Sequence, residues 1–121
     1  MKYHGPIWLG LFVEDLQASI RFYKDVMGLH LLGEGDDWAH FDSGNGSLLE
    51  LFSGGKASLE PKMPNQQSIT VGFRVEDLDS SIAELKRKGV RFMGDIGEYE
   101  GTRWARFSDP EGNQLGIKEI P

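Results

Sequence analysis

Cysteine is absent from this chain of 121 residues. Disulfide bonds, thiolate nucleophiles and metal sites with cysteine ligands are therefore excluded. Histidine is scarce, with only His4, His30 and His40 in the sequence. We expect His4, near the start of the chain, and His30, at a helix–strand joint, to be surface imidazoles.

Long hydrophobic runs and an excess of positive charge are also missing. The longest apolar run, Ile7–Val13, has seven residues and ends at Glu14 and Asp15, whereas a membrane-spanning helix needs about 20. Thirteen Lys and Arg stand against nineteen Asp and Glu, which gives a net charge of −6. Binding to a phosphate backbone requires clustered positive charge. The sequence therefore predicts a cytoplasmic protein with neither a membrane nor a nucleic acid as partner.

The chain contains an internal repeat. Val13–Leu16 and Val75–Leu78 have the same sequence, Val-Glu-Asp-Leu, 62 residues apart. Other matches lie at offsets of 61 to 66, and they pair Gly10 with Gly72, Ser19 with Ser81, Ile20 with Ile82, Lys24 with Lys86, Gly28 with Gly89, Gly33 with Gly94, and Trp38–Phe41 with Trp104–Phe107. Such self-similarity indicates two copies of one structural unit. We predict a single domain with modules at residues 5–53 and 68–120, joined by an exposed linker at 54–67.

Each module is predicted to contain one helix and four strands. Asp15 and Asp77 are typical helix N-caps, and Gly28 and Gly89 are typical residues after a helix end. In the first module, apolar residues continue at helical spacing as far as Met27. Alternating or short apolar segments predict the strands, which are Ile7–Val13, Leu29–Gly33, Trp38–Asp42, Leu48–Ser53, Ile69–Val75, Val90–Gly94, Arg103–Ser108 and Gln114–Glu119.

Strand alternation divides the side chains between two faces. The apolar face is expected under the helices and contains Ile7, Leu9, Leu11, Val13, Leu49, Leu51, Ile69, Val71, Phe73, Val75, Leu115 and Ile117. The concave face is left for a ligand. Its candidate binding residues are Trp8, Phe12, Trp38, His40, Phe52, Thr70, Arg74, Trp104 and Arg106, with Glu50 as the candidate catalytic residue. Gln114, Gly116 and Lys118 alternate onto the same face but are not among these candidates.

Other interpretations of these residues stay open. Large aromatic side chains are also typical of a second core layer or a dimer interface. Arg74 and Arg106 are equally compatible with surface pairing to glutamates. A salt bridge from Glu50 to either arginine across an empty cup would satisfy a buried carboxylate.

The repeated Val-x-Asp-Leu motif, Phe22-Tyr23 and the turn at Phe107–Asn113 resemble the vicinal oxygen chelate superfamily. This superfamily groups glyoxalase I, extradiol dioxygenases, and fosfomycin and bleomycin resistance proteins, and the resemblance covers Ile7–Glu119. It implies an α+β fold of two tandem βαβββ modules, which form an open, cup-like mixed sheet with the helices on its convex face. It also implies a homodimer.

The resemblance further implies four positions for metal ligands, which here are Trp8, Glu50, Thr70 and Gly116. Only Glu50 has a side chain that binds transition metals well. His40 is a second potential ligand, but two ligands are one short of the usual triad. We therefore expect no metal and no other cofactor.

Two classes of function follow, with a third behind them. The first is a binding protein similar to the drug-sequestering resistance proteins, which holds a small aromatic or charged molecule. The second is a lyase, isomerase or dioxygenase in which Glu50 acts as general base or metal ligand, and Arg74 or Arg106 stabilises an oxyanion. The third is a regulatory or structural module without a small ligand.

Overall fold

Two four-stranded mixed sheets, each with one helix packed against it, make up this chain. The computed structural model describes residues 1–121, apart from the side chain of Pro64. It divides into two units, Met1–Ala57 and Ser58–Pro121. The elements of the first unit are β1 (Trp8–Val13), α1 (Leu16–Arg21), a π-helical turn (Phe22–Val26), β2 (His30–Glu34), β3 (Trp38–Gly44) and β4 (Ser47–Ser53). Those of the second are a 3₁₀ turn (Pro64–Gln66), β5 (Val71–Arg74), α2 (Leu78–Arg87), β6 (Phe92–Tyr99), β7 (Thr102–Ser108) and β8 (Gln114–Glu119). The predicted α+β class and tandem βαβββ modules are confirmed.

Both sheets have the same topology. The strand orders are β1-β4-β3-β2 and β5-β8-β7-β6. The first strand of each module, β1 or β5, pairs in parallel with the fourth strand of that module, β4 or β8. The other pairs are antiparallel. The helix carries the chain from one sheet edge to the other, and turns then return it strand by strand. Among the described residues no helix is long and apolar enough to cross a membrane.

The core of each unit lies between the sheet and its helix. As predicted, Leu49 and Leu51 of β4 are fully buried, and Leu115 and Ile117 of β8 are nearly so. The prediction was wrong for the first residue of two apolar segments, since Ile7 is 65% exposed and Ile69 is 71% exposed. Both residues precede the first residue of their strands, so they lie beyond the part of the sheet that the helix covers.

The helix ends follow the capping pattern expected from the sequence. The Oδ1 atoms of Asp15 and Asp77 accept hydrogen bonds from the backbone N–H groups of Ala18 and Ser80, each at 3.0 Å. Gly28 and Gly89 have φ angles of 75° and 92°, a conformation that glycine adopts without steric strain.

The prediction of a continuous α-helix as far as Met27 was wrong. The α-helix ends at Arg21, and the Met27 N–H donates to the carbonyl of Phe22 at 2.9 Å within a π-helical turn. The repeat offset falls from 62 to 61 across this segment, so the first module has one residue more than the second. A π turn accommodates one extra residue within a helix, which explains the difference between the two copies.

Strand β6 is longer than predicted for a related reason. The second module has five more residues between Gly94 and Trp104 than the first has between Gly33 and Trp38. These residues lengthen the β6–β7 hairpin, which turns at Glu100 and Gly101 with φ angles of 50° and 82°. Positive φ at both positions is typical of a tight hairpin turn.

The second half of the predicted linker is attached to the turn before β8. The Ser58 N–H donates to the Glu111 carbonyl at 2.9 Å, and the Lys62 N–H donates to the Gly112 carbonyl at 2.8 Å. The side chain of Gln67 bonds to both backbone groups of Gln114. These hydrogen bonds make residues 58–67 part of the second unit.

Candidate functional site

The first unit presents a polar and aromatic face on the side of the sheet away from its helix. Strand register aligns Gly10, Glu50 and His40 on neighbouring strands β1, β4 and β3. The next aligned set on the same face is Phe12, Phe52 and Trp38. In-register residues of neighbouring strands point to the same face. Six predicted site residues therefore share this face, namely Trp8, Phe12, Trp38, His40, Glu50 and Phe52.

The side chain of Glu50 lies beside that of His40 on this face. Its side chain is only 18% exposed, and its Oε2 atom is 3.9 Å from Nε2 of His40. That distance allows an ion pair when the imidazole is protonated, but it exceeds the range of a hydrogen bond. The His40 ring lies 4.7 Å from Trp38 and 6.5 Å from Phe52, centroid to centroid. Within the part of the chain that the structure describes, Glu50 accepts no hydrogen bond.

The second unit has a cavity on the corresponding face. Its volume is about 500 Å³, which is within the usual range for small-molecule sites. It is lined by Thr70, Val71, Gly72, Phe73, Arg74, Trp104, Arg106, Gln114, Gly116, Ile117, Lys118 and Ile120, all from the second unit. The structure thus brings together four predicted binding residues, which are Thr70, Arg74, Trp104 and Arg106.

Two glycines leave the floor of this cavity bare. Gly72 and Gly116 are in register on β5 and β8, and Arg106 of β7 is aligned with them. A Cβ atom added to Gly72 would meet only the Gly116 carbonyl oxygen, at 3.9 Å. The repeat counterpart of Gly116 is Glu50, so the first unit has a carboxylate where the second has open space.

Glycines of β6 make room for two side chains of the cavity. A Cβ atom at Gly97 would overlap the indole of Trp104, and one at Gly94 would lie 2.8 Å from Nη2 of Arg106. The absence of a side chain at Gly97 lets the indole lie against the β6 backbone, and Gly94 leaves space beside the end of the Arg106 side chain.

Among the lining residues that were not candidates, Gln114 and Lys118 have polar side chains. Strand alternation predicts both on the face that lines the cavity, although neither is among the candidate binding residues. Lys118 is in register with Trp104 and Arg74, and its Nζ lies 5.3 Å from the centroid of the Trp104 ring. Lys118 lies four residues after Gln114 on β8, and this even spacing is the sequence pattern that indicates a shared face.

On the opposite face of the second unit, Arg103 is neutralised by two carboxylates. Arg103 of β7 donates to Oδ1 of Asp79 at 3.0 Å and to Oε2 of Glu119 at 3.5 Å. The hydrogen bond to Asp79 raises the pKa of the Arg103 guanidinium. This network links α2 to β7 and β8 and leaves no role for Arg103 in the cavity.

The four positions implied for metal ligands do not form a suitable donor set. Trp8 and Gly116 offer no donor atom, and the hydroxyl of Thr70 is a poor ligand for a transition metal. Among the described residues, no three His, Cys, Asp or Glu side chains are grouped closely enough to hold a metal ion. The residues present do not fit the metal of the resembled family.

The sequence matches a known superfamily of proteins. The family model of the Glyoxalase/Bleomycin resistance protein/Dioxygenase superfamily matches residues 5–117. The chain belongs to this superfamily. The uncharacterized protein YraH of Bacillus subtilis is 32% identical to this chain, covering 91% of this chain and 94% of that protein.

Solved structures share the superfamily fold. A glyoxalase/dioxygenase from Nostoc punctiforme has a TM-score of 0.81 and 21% identity, covering 98% of this chain and 92% of that one. TnmS3, an antibiotic binding protein from Streptomyces sp. CB03234, has a TM-score of 0.75 and 25% identity, covering 100% and 99%. One of these proteins is named a glyoxalase/dioxygenase and the other an antibiotic binding protein, so membership of the superfamily does not by itself distinguish catalysis from binding.

Proposed function

We propose that this chain is a small-molecule-binding protein and that the cavity of the second unit forms part of its binding site. The observation that carries this proposal is the open space of about 500 Å³ above Gly72 and Gly116, with the Trp104 indole in its lining. The antibiotic binding protein TnmS3 shares the fold at 25% identity, which supports the same class of function. A binding cup shared by both modules stays a prediction.

Filling the cavity tests this proposal. A panel of small aromatic acids, amides and amines is screened by isothermal titration calorimetry and by the shift in Tm. Gly72→Val places a side chain in the open space without a backbone clash, and we expect it to abolish binding of every compound that binds the wild type. Ser68→Val adds a similar side chain at an exposed position outside the cavity lining and is the control.

Two results contradict the proposal. One is a panel in which no compound binds the wild type. The other is binding that survives in Gly72→Val while circular dichroism shows a native fold, because the ligand would then lie elsewhere.

We propose that binding does not depend on a transition metal. Glu50 is the only good ligand among the four implied positions, and its nearest potential partner is His40, at 3.9 Å. One carboxylate and one imidazole do not make a tight site for zinc, iron or manganese. Elemental analysis of purified protein is expected to give far less than one metal ion per chain, and binding is expected to survive EDTA. One tightly held metal ion per chain would contradict this.

A second candidate function is proton transfer by Glu50. The Glu50 side chain is only 18% exposed, its carboxylate lies 3.9 Å from the His40 imidazole, and it accepts no hydrogen bond within the described chain. Such a group is available to remove a proton beside a substrate carbonyl. Glu50→Gln would abolish turnover of an identified substrate while leaving its Kd within a few-fold. Full activity in this variant would remove Glu50 from the mechanism.

We also propose that the protein is a cytoplasmic homodimer. Trp8 and Phe12 lie on the same face of β1 and are 58% and 68% exposed. Contiguous apolar side chains of this size favour cover by a second copy.

A further inference from the structure

The cavity of the second unit has an unbalanced positive charge. Arg74, Arg106 and Lys118 belong to its lining, and none of the twelve described lining residues is Asp or Glu. Yet the chain as a whole carries a net charge of −6. The charge of the cavity lining is therefore opposite in sign to the net charge of the whole protein.

None of these three cations forms an ion pair within the described chain. Arg103 provides an internal comparison, since it adjoins Trp104 on β7 but points to the helix side. There it contacts Asp79 at 3.0 Å and Glu119 at 3.5 Å. The protein thus neutralises the arginine that faces its own helix and leaves three cations without a counter-charge in the cavity.

The strand register brings the three cationic side chains close together. Arg74 and Lys118 are directly paired on β5 and β8, and neighbouring strands are about 5 Å apart. Arg106 is on the neighbouring strand β7, where it is paired with Gly116, two residues before Lys118. It is therefore aligned with Gly116 and Gly72. Side chains at these positions surround the bare floor.

Two of these cations lie close to neighbouring groups of the second unit. The guanidinium of Arg106 lies against Gly94, where a Cβ atom would be only 2.8 Å from Nη2. The ammonium of Lys118 lies 5.3 Å from the centroid of the Trp104 indole, within the range of a cation–π interaction. Three like charges held in proximity repel one another, so a bound anion would relieve an unfavourable interaction.

We infer that this cavity selects small organic oxyanions, such as carboxylates or phosphonates, with Arg74, Arg106 and Lys118 as the recognising groups. The inference rests on the proposed function, because it names the ligand class of the same cavity. Guanidinium groups bind the two oxygens of an oxyanion through paired N–H donors. The volume of about 500 Å³ suits a small molecule.

The test compares probes of one shape and different charge. Benzoate and phenylphosphonate are titrated into the wild-type protein beside neutral benzamide and cationic benzamidine. Charge-assisted hydrogen bonds are worth enough for about a tenfold difference in Kd. We therefore expect both anions to bind at least tenfold more tightly than benzamide, with benzamidine weakest, and we expect added NaCl to reduce this preference.

Single-charge variants locate the effect. Arg74→Gln, Arg106→Gln and Lys118→Gln are each expected to weaken benzoate binding by about tenfold and to leave benzamide binding nearly unchanged. Lys86→Gln removes the same charge from an exposed position on α2 and is the control for net charge. We expect it to bind benzoate as the wild type does.

The outcomes distinguish a failure of anion selection from a failure of the proposed small-molecule binding. If benzamide and benzoate bind equally and both are lost in Gly72→Val, the cavity binds small molecules but anion selection is overturned. Equal loss of benzoate binding in Lys86→Gln and Arg106→Gln also overturns it, because net charge would then explain the effect. If no probe of any charge binds, both proposals fail.

Discussion

Lys118 and Trp104 are paired across strands β8 and β7, with the lysine Nζ 5.3 Å from the centroid of the indole ring. At the equivalent place in the first unit, Phe52 is paired with Trp38. The two copies thus keep a tryptophan on the third strand of each module but set a cation beside one and an aromatic ring beside the other. The unit faces have diverged in charge while their backbones have kept the same register.

The first prediction concerns this pair. Trp104→Leu removes the cation–π contact that locates the Lys118 ammonium, so benzoate affinity is expected to fall about two- to fivefold. Trp104→Phe keeps an aromatic face and is expected to lose less. Calorimetry measures the Kd, and Tyr99→Leu, at an exposed position outside the cavity lining, is the matched control. An unchanged Kd in Trp104→Leu would show that the indole does not position the lysine.

The second prediction concerns the cap of α2. The hydrogen bond from the Ser80 N–H holds the pKa of Asp77 below its ordinary value of 3.8. The ionised carboxylate therefore stabilises the folded state above pH 3.8, and this contribution is lost as the pH falls through the lowered pKa. Asp77→Asn keeps a capping oxygen without the charge.

Urea midpoints measured from pH 6 to pH 2 check this. The stability advantage of the wild type over Asp77→Asn is expected to shrink below pH 3.8. Asp95→Asn makes the same charge change at an exposed position of β6 and is expected to show a smaller change. Parallel curves for wild type and Asp77→Asn would contradict the prediction.

The third prediction separates backbone strain from crowding. Gly112 and Gly46 have similar φ angles, 83° and 80°. A Cβ atom at Gly46 would meet nothing within 4 Å, whereas at Gly112 it would lie 2.9 Å from Ser58 and 3.0 Å from the Glu60 carbonyl oxygen. Gly46→Ala is expected to lower the free energy of unfolding by about 1–2 kcal/mol.

Gly112→Ala is expected to lower it by at least about 1 kcal/mol more, because crowding adds to strain. Urea unfolding of both variants gives the difference. Equal losses would mean that residues 58–60 move aside without cost and that the attachment of this segment to the turn before β8 contributes little.

The fourth prediction concerns assembly. Size-exclusion chromatography with light scattering is expected to give twice the 13.5 kDa of one chain. The double variant Trp8→Ser, Phe12→Ser removes two exposed apolar side chains and is expected to shift the protein towards monomer. A wild-type monomer at micromolar concentration would contradict the proposed homodimer.

Much of each module could be predicted from the sequence, because the repeat allows every element to be checked against its copy. The caps at Asp15 and Asp77 and the left-handed glycines at Gly28 and Gly89 depend on local backbone chemistry, and they were confirmed. The π turn at Phe22–Val26 was missed, because spacing alone does not show how a helix absorbs one extra residue. In the sequence, the extra residue is indicated by the change of the repeat offset from 62 to 61.

The candidate residues were partly predictable. Alternation assigned Arg74, Trp104 and Arg106 to the face on which the cavity lies, since side chains of a strand alternate by geometry. The inclusion of Lys118 in the cavity depends on strand pairing with Trp104 and Arg74. Which glycines make room for the indole and the guanidinium depends on the pairing of β6 with β7, whose register shifts between Met93 and Gly97 without a local sequence pattern that predicts it.

The sequence by itself determined the duplicated architecture, the absence of thiol chemistry and the poor donor set at the implied metal positions, because these depend on residue identity and short-range periodicity. Only the tertiary structure decided that Arg103 is neutralised while Arg74, Arg106 and Lys118 line one cavity without a counter-charge. The reason is that charge balance depends on distances between side chains far apart in the chain, and strand register fixes those distances.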